Sequence, residues 1–138
     1  MRSAIADTSS LIVLDKIDGL FILDGMYGNV LVTPTVKAEY GNELPAFVEV
    51  RTVDNPNYGT LLRGIIDPGE ASTLALALEV EDPLLILDDR KARSVAKEAG
   101  IPLTGTLGVI LEAKNKHIVS RSSSDFRTAC EGWILDLR

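Results

Sequence analysis

Short apolar runs alternate along this chain with amphipathic stretches, and nearly every run ends at an acidic or capping residue. Ala4-Ile5-Ala6 stops at Asp7. The run is too short for an amphipathic helix and reads as a buried strand. Thr8, Ser9 and Ser10 can cap the helix that follows, which carries Leu11, Leu14 and Ile17 on one face. Asp18-Gly19 punctuates, and a second helix over 19–26 carries Leu20, Ile22 and Leu23. Val30-Leu31-Val32 is a second strand. Thr33-Pro34 supplies an N-cap followed by proline at the first helical position, and the helix it starts runs past Glu39 until Gly41 stops it.

Phe47 to Val53 alternates apolar and polar positions and reads as a strand. Asp54 to Gly59 is rich in turn residues and reads as a loop, and Thr60 to Ile66 shows no clear period. Asp67-Pro68-Gly69-Glu70 opens the clearest helix, through Ala71, Leu74, Ala75 and Leu78 to about Val80. Leu84 to Leu87 is an apolar strand ending at Asp88. A helix over 89–99 follows, with Gly100 as its C-cap. Ile101-Pro102-Leu103 predicts a short strand and 104–116 a helix. The tail suggests a helical patch over 124–131 and an apolar end at Trp133-Ile134-Leu135. Strands alternating with helices imply βαβ units: a three-layer α/β/α domain with a central, mainly parallel sheet. No repeat, low-complexity tract or linker divides residues 1–138.

Composition narrows the class. Hydrophobic residues make up 46% and charged ones 25%, the profile of a soluble globular protein. Cys130 is the single cysteine and has no partner for an internal disulfide, so a reducing cytoplasm is the expected setting. Asp7 breaks the apolar start, which argues against a signal peptide. No run approaches the roughly 18 apolar residues of a membrane span. The net charge of −6 runs against nucleic-acid binding, but its distribution is uneven. Residues 1–89 hold 5 basic and 15 acidic side chains, and residues 90–138 hold 9 basic and 5 acidic. The second set includes Arg90, Lys91, Arg93 and Lys97. It reads either as solvated helix faces or as a basic flank for a phosphate backbone.

The acids themselves are the candidate chemistry. Asp7, Glu39, Glu70 and the pair Asp88-Asp89 sit where an apolar run ends or a helix begins. Each alone has a structural explanation: Asp7, Asp88 or Asp89 as a cap, Glu39 as a solvent-facing residue, Asp67 and Glu70 as a capping box. Together they point to one edge of a parallel sheet. At ~5 Å and an effective dielectric of about 20, each ionised pair there costs roughly 3 kcal/mol. A hard divalent cation would offset that repulsion. It would also supply what phosphodiester hydrolysis needs, an activated water and positive charge on the phosphate oxygens.

The order of these segments resembles a PIN domain. The resemblance rests on Ile5-Ala6-Asp7-Thr8-Ser9-Ser10-Leu11, then Val30 to Pro34 leading to Glu39, then Asp67-Pro68-Gly69-Glu70-Ala71 and Leu85 to Arg90. The stretch Gly105 to Lys114 is similar to a bacterial and archaeal PIN-like subfamily. The resemblance implies a Mg²⁺- or Mn²⁺-dependent ribonuclease, with VapC-like toxins of toxin–antitoxin pairs among its relatives. It implies Asp7, Glu39 and Glu70 as the first three metal-binding acids. The fourth is Asp89 by its place before Arg90, with Asp88 in a slot where VapC-like chains often carry asparagine. The sequence does not separate the two. Thr8 and Ser9 resemble the small polar residues flanking the first acid, and Arg90, Arg93 and Lys97 would meet the RNA. Lys91, Ala92 and Arg93 depart from the acidic and aromatic residues that many VapC-like chains have after this turn.

The rival readings are a non-catalytic PIN-like interaction domain and a metal-dependent hydrolase of small phosphate esters. A homodimer is expected, because a helix cannot bury all of Leu20, Phe21, Ile22 and Leu23 in one core; an antitoxin protein is a further expected partner. His117 reads as a helix-end residue, Phe126 and Trp133 as packing residues. Gly105 and Gly108 lack the strand and lysine of a phosphate-binding loop.

Overall fold

The apolar runs form five parallel strands, and the computed structural model describes residues 2–117. The expected helical patch over 124–131, the apolar end at 133–135, Cys130 and Phe126 lie outside the described residues. The strands are β1 (Ser3–Ala6), β2 (Asn29–Val32), β3 (Val48–Val50), β4 (Pro83–Ile86) and β5 (Leu103–Thr104). The helices are α1 (Thr8–Lys16), α2 (Phe21–Met26), α3 (Pro34–Tyr40), α4 (Asn57–Leu62), α5 (Pro68–Ala77), α6 (Arg90–Glu98) and α7 (Thr106–Asn115). The sheet order is β3-β2-β1-β4-β5. Ile5 pairs with Leu31 on one side and Leu85 on the other, so β1 is the central strand.

Strand periodicity divides the core into two layers. Ala4, Ala6, Val30, Val32, Leu84 and Ile86 face one side, where Leu11 and Leu14 of α1, Ile22 and Leu23 of α2 and Val109 of α7 pack. Ile5, Leu31, Leu85 and Leu87 face the other, against Leu62 of α4, Leu74 and Leu76 of α5 and Ala92 and Ala96 of α6. A parallel sheet covered on both faces needs apolar residues at every position, which is why its strands read as unbroken apolar runs. Helix α5 is buried over most of its length, so it shows no clean polar face.

Caps define most helix ends where the sequence places them, except that α1 is capped by Asp7 and takes Thr8, Ser9 and Ser10 into its first turn. Asp7, Thr33, Asp67 and Asp89 each accept a hydrogen bond from the backbone N–H three residues on. Gly41 and Gly100 follow α3 and α6 in left-handed backbone, with φ of 74° at both. Three elements differ from the sequence expectation. Helix α4 begins at Asn57, inside the expected loop. Its start is held from outside: the Glu79 carboxylate accepts from the N–H groups of Asp54 and Asn55, at 2.8 and 2.9 Å. Tertiary hydrogen bonds here override weak local propensity. Strand β3 is only Val48–Val50, at the sheet edge. Strand β5 starts at Leu103 and not Ile101, because Ile101 donates to Ala96 of α6 and Pro102 has no N–H. Among the described residues no helix is long and apolar enough to cross a membrane.

Leu76 and Leu78 sit two positions apart on the same chain segment but at 0% and 54% exposure. Leu76→Ala is expected to lower unfolding free energy by about 2–5 kcal/mol. Leu78→Ala should stay within about 0.5 kcal/mol. Urea unfolding of the two variants checks this; equal losses would mean that α5 is rotated from its described face.

Candidate metal centre

The sheet order changes direction at β1. The chain builds β2 and β3 outward on one side, then crosses to lay β4 and β5 on the other. The crevice beyond the strand ends at such a switch point is where open α/β sheets bind ligands. Asp7 follows β1 and Asp88 follows β4, its hydrogen-bonded neighbour. The N–H of Asp7 and the hydroxyl of Ser10 both donate to the carbonyl of Ile86, at 3.4 and 3.0 Å, which ties the start of α1 to the end of β4.

The other acids reach the same edge from helices. The Thr8 hydroxyl donates to Glu39 Oε1 at 3.0 Å, which brings α3 to the start of α1. A Cβ at Gly69 would collide with Glu39 Oε1 and lie 3.3 Å from Thr8 Oγ1. Glu39 therefore lies across the first turn of α5, and only glycine leaves room for it. Glu70, the next residue, faces Asp67 and Asp89 electrostatically. Asp7 in turn feels Asp88 and Asp67. The structure thus links Asp7, Glu39, Glu70, Asp88 and Asp89 to one edge, and adds Asp67, whose charge acts on two of them.

Four of the acids share a pattern of use. Asp7 caps α1 with Oδ1, Asp89 caps α6 with Oδ2, Glu70 closes the capping box of α5 with Oε1, and Glu39 accepts from Thr8 with Oε1. In each, the second oxygen has no N–H or O–H donor among the described residues. Asp88 is different. Its Oδ1 accepts from the N–H of Thr106 at 2.8 Å and its Oδ2 from the Thr106 hydroxyl. It is clamped to the start of α7 by both oxygens. A Cβ at Gly105 would come within 3.0 Å of Asp88 Oδ1 and 2.8 Å of Arg93 Nη1, so this glycine lets the two side chains pass. Local sequence signals show neither these close approaches at Gly69 and Gly105 nor the Thr106 clamp, all of which join distant segments.

Asp7 is the most deeply buried of these acids. It is 1% exposed, and its Oδ2 is buried without a partner. Burial pushes its carboxyl up to about 6, against the pull of its hydrogen bonds to Ser10, with Asp88 and Asp67 adding to the rise. Glu70 is pushed up to about 8, first by burial and then by contact with Asp67. An orphaned buried carboxylate oxygen among hard oxygen donors fits a divalent cation of the Mg²⁺ or Mn²⁺ type. The side chains are not drawn into a shell, however. Among the described residues no three His, Cys, Asp or Glu side chains stand at ion-holding distance from one another. Each is held where it stands by hydrogen bonds to Thr8, Thr106 or helix N–H groups.

The predicted substrate residues divide. Thr8 is committed to Glu39, and Ser9 is exposed on the first turn of α1. Arg90, Arg93 and Lys97 line one cleft of about 410 Å³ together with Asp88 and Ser94. Arg93 Nη1 donates to the carbonyl of Leu87 at 3.1 Å. The ion pairs among the described residues are Arg51–Glu49 and Lys116–Glu112. Arg90, Arg93 and Lys97 are therefore not absorbed in structural pairs.

A family model described as a PIN domain matches residues 3–129, nearly the whole chain. No curated protein matches it.

The raised carboxyls make metal-free stability fall as pH rises. A native Asp7 near 6 holds a proton that the unfolded chain releases near its ordinary 3.8. Its stabilising contribution is complete below about pH 4 and lost as pH passes 6, a difference of about 3 kcal/mol. Glu70 extends the loss toward pH 8. The metal-free protein is expected to melt higher at pH 5 than at pH 8. Asp7→Asn should raise the pH 8 melting temperature by roughly 10 °C. Added Mn²⁺ should stabilise the wild type more at pH 8 than at pH 5. Calorimetry at both pH values checks all three, and a pH-independent gain from Asp7→Asn would contradict them.

Proposed function

Because the chain belongs to the PIN domain family, whose fold is of nuclease type, we propose that it is a divalent-metal-dependent ribonuclease. The observation that carries this reading is the buried, donorless Oδ2 of Asp7 in a crowd of carboxylates at the switch point. Leaving such an atom unsatisfied costs about 1–3 kcal/mol or more for a charged group, which a bound cation would offset. Asp7, Glu39, Glu70 and Asp89 would hold Mg²⁺ or Mn²⁺ through the oxygens that capping leaves over. When bound, such an ion supplies an activated water and positive charge against the phosphate oxygens.

The protein's own groups do the remaining work. Thr8 and Gly69 orient Glu39, and Thr106 fixes Asp88 beside Asp7. Asp88 then acts as a fixed negative charge and acceptor, and Asp89 is the better-placed ligand. Arg90, Arg93 and Lys97 supply the phosphate contacts on the α6 side. Their cleft is open and lies beside the acids, which suits a polymer better than a small phosphate ester. A toxin role with an antitoxin partner rests on the resemblance to VapC-like chains alone. The non-catalytic reading draws on one observation, the spread of the acids in their present positions.

A nuclease assay on mixed RNAs with Mg²⁺ or Mn²⁺ separates these readings. Wild type should cleave, and chelation should abolish cleavage. Asp7→Asn and Asp89→Asn should lose more than about 100-fold, while Thr106→Val and Gly69→Ala, which only misplace a carboxylate, should lose about 10–100-fold. Cleavage that survives in Asp7→Asn would refute the assignment. Homodimerisation belongs to the same proposal. Ile22 and Leu23 are core residues, whereas Phe21 remains 49% exposed, so α2 is the expected contact. Light scattering should give twice the chain mass, and Phe21→Glu should shift it toward one.

A further inference from the structure

A second cleft opens on the opposite flank of the acids from α6, and the assignments above leave it without a role. It lies among α3, α4, α5 and the segment after β3, with a volume of about 180 Å³. Thr35, Thr52 and Arg63 present polar groups to it, and Pro56, Pro68 and Val53 give it apolar walls. The cleft adjoins the acids directly. Pro68 precedes Gly69, over which Glu39 lies. Thr35 is one helical turn before Glu39, on the same face of α3.

Sheet order sets the three sites in line. The cleft lies beyond the ends of β3 and β2, the acids beyond β2, β1 and β4, and the basic cleft beyond β4 toward β5. Neighbouring strands are ~4.8 Å apart, so the whole edge measures roughly 19 Å. That is a track for an oligomer, with carboxylates in the middle and a cation at each end.

The groups in this cleft are unspent. The Arg63 side chain makes no ion pair or hydrogen bond among the described residues. Arg51, the other arginine on this side, is already held by Glu49 at 2.6 Å. The hydroxyls of Thr35 and Thr52 have no hydrogen-bond partner among the described residues, whereas those of Thr60 and Ser72 donate to Pro56 and Gly69 carbonyls. The volume is below the roughly 300–1,000 Å³ of a pocket that encloses a whole small ligand. It suits the base of one unit of a longer chain, with the sugar and phosphate at its rim.

We propose that this cleft is a second substrate subsite, which takes one nucleotide of single-stranded RNA away from the scissile phosphate. Arg63 meets a phosphate, Thr35 and Thr52 meet ribose hydroxyls, and the base lies against Pro56, Pro68 and Val53. A base can enter only when unpaired, which selects single strands over duplex. The inference rests on the nuclease reading for what happens between the two clefts.

The test is binding of a labelled, unstructured RNA dodecamer to Asp7→Asn protein across several salt concentrations, read by fluorescence anisotropy. Adding Arg63→Ala should weaken binding roughly 10-fold at low salt and lower the slope of log affinity against log salt by about 0.7, one single-strand phosphate contact. Adding Arg51→Ala instead should leave the slope unchanged, because that charge is already neutralised. An unchanged slope in Arg63→Ala, an equal loss in Arg51→Ala, or no binding by the parent would each overturn the subsite. Metal-dependent cleavage by wild type is scored separately. Cleavage with Arg63-independent binding keeps the nuclease and removes the subsite. Arg63-dependent binding without cleavage keeps the subsite and removes the nuclease.

Discussion

Like charges crowded at the end of β1 are the constraint around which the rest of this molecule is arranged. Asp7 is buried at the centre of the sheet, beside β4, with Asp88 and Asp67 acting on it. The fold tolerates the crowd by giving each carboxylate a second task. Asp7, Asp89 and Glu70 satisfy N–H groups at the starts of α1, α6 and α5, where helix dipoles favour negative charge. Each N–H interaction stabilises the ionised form, and burial opposes it. For Asp7 and Glu70 burial prevails, and both carboxyls rise. The remaining oxygens are what a cation would find.

This double use explains why structural and functional readings of the same residues do not compete. A capping box at Asp67–Glu70 is present with both of its hydrogen bonds, at 2.8 and 3.3 Å. It fixes where Glu70 stands without exhausting its oxygens. Capping also favours rigid placement, since a cap that moves loses its helix start. Asp88 shows the alternative. With both oxygens on Thr106 it joins β4 to α7 across the sheet edge. Thr106 takes one acceptor position on each oxygen and so fixes how this carboxylate is oriented at the site.

Much of this was legible in the sequence where signals are local. Thr33-Pro34 and Gly41 bracket α3 because an N-cap, a first-turn proline and a left-handed glycine each act over one turn. The apolar runs at Ala4–Ala6, Val30–Val32 and Leu84–Leu87 marked strands covered on both faces, and the acids that follow the first and the third marked the edge. What the sequence did not disclose depends on distant contacts. Glu79 organises the start of α4 from about 24 residues away, so no window around Asn57 could show it. Gly69 looked like part of a helix start, but its missing Cβ matters to Glu39, thirty residues earlier. Asp88 and Asp89 are chemically identical neighbours, and only the position of Thr106 tells them apart.

The charge distribution acquires a physical sense from the same geometry. A chain of net charge −6 repels RNA at long range, so any attraction must be local and short-ranged, within a Debye length of about 8–10 Å. Unpaired cations at the two ends of the sheet edge, Arg63 on one flank and Arg90, Arg93 and Lys97 on the other, meet that requirement. Between them the carboxylates repel a phosphate until a cation reverses the local sign. Substrate binding and metal binding would then be thermodynamically linked: each lowers the electrostatic cost of the other, and neither flank alone holds the scissile phosphate over the acids. The acidic surface elsewhere disfavours non-productive adsorption of a polyanion, so on the proposed reading the negative net charge would sharpen the choice of where RNA sits.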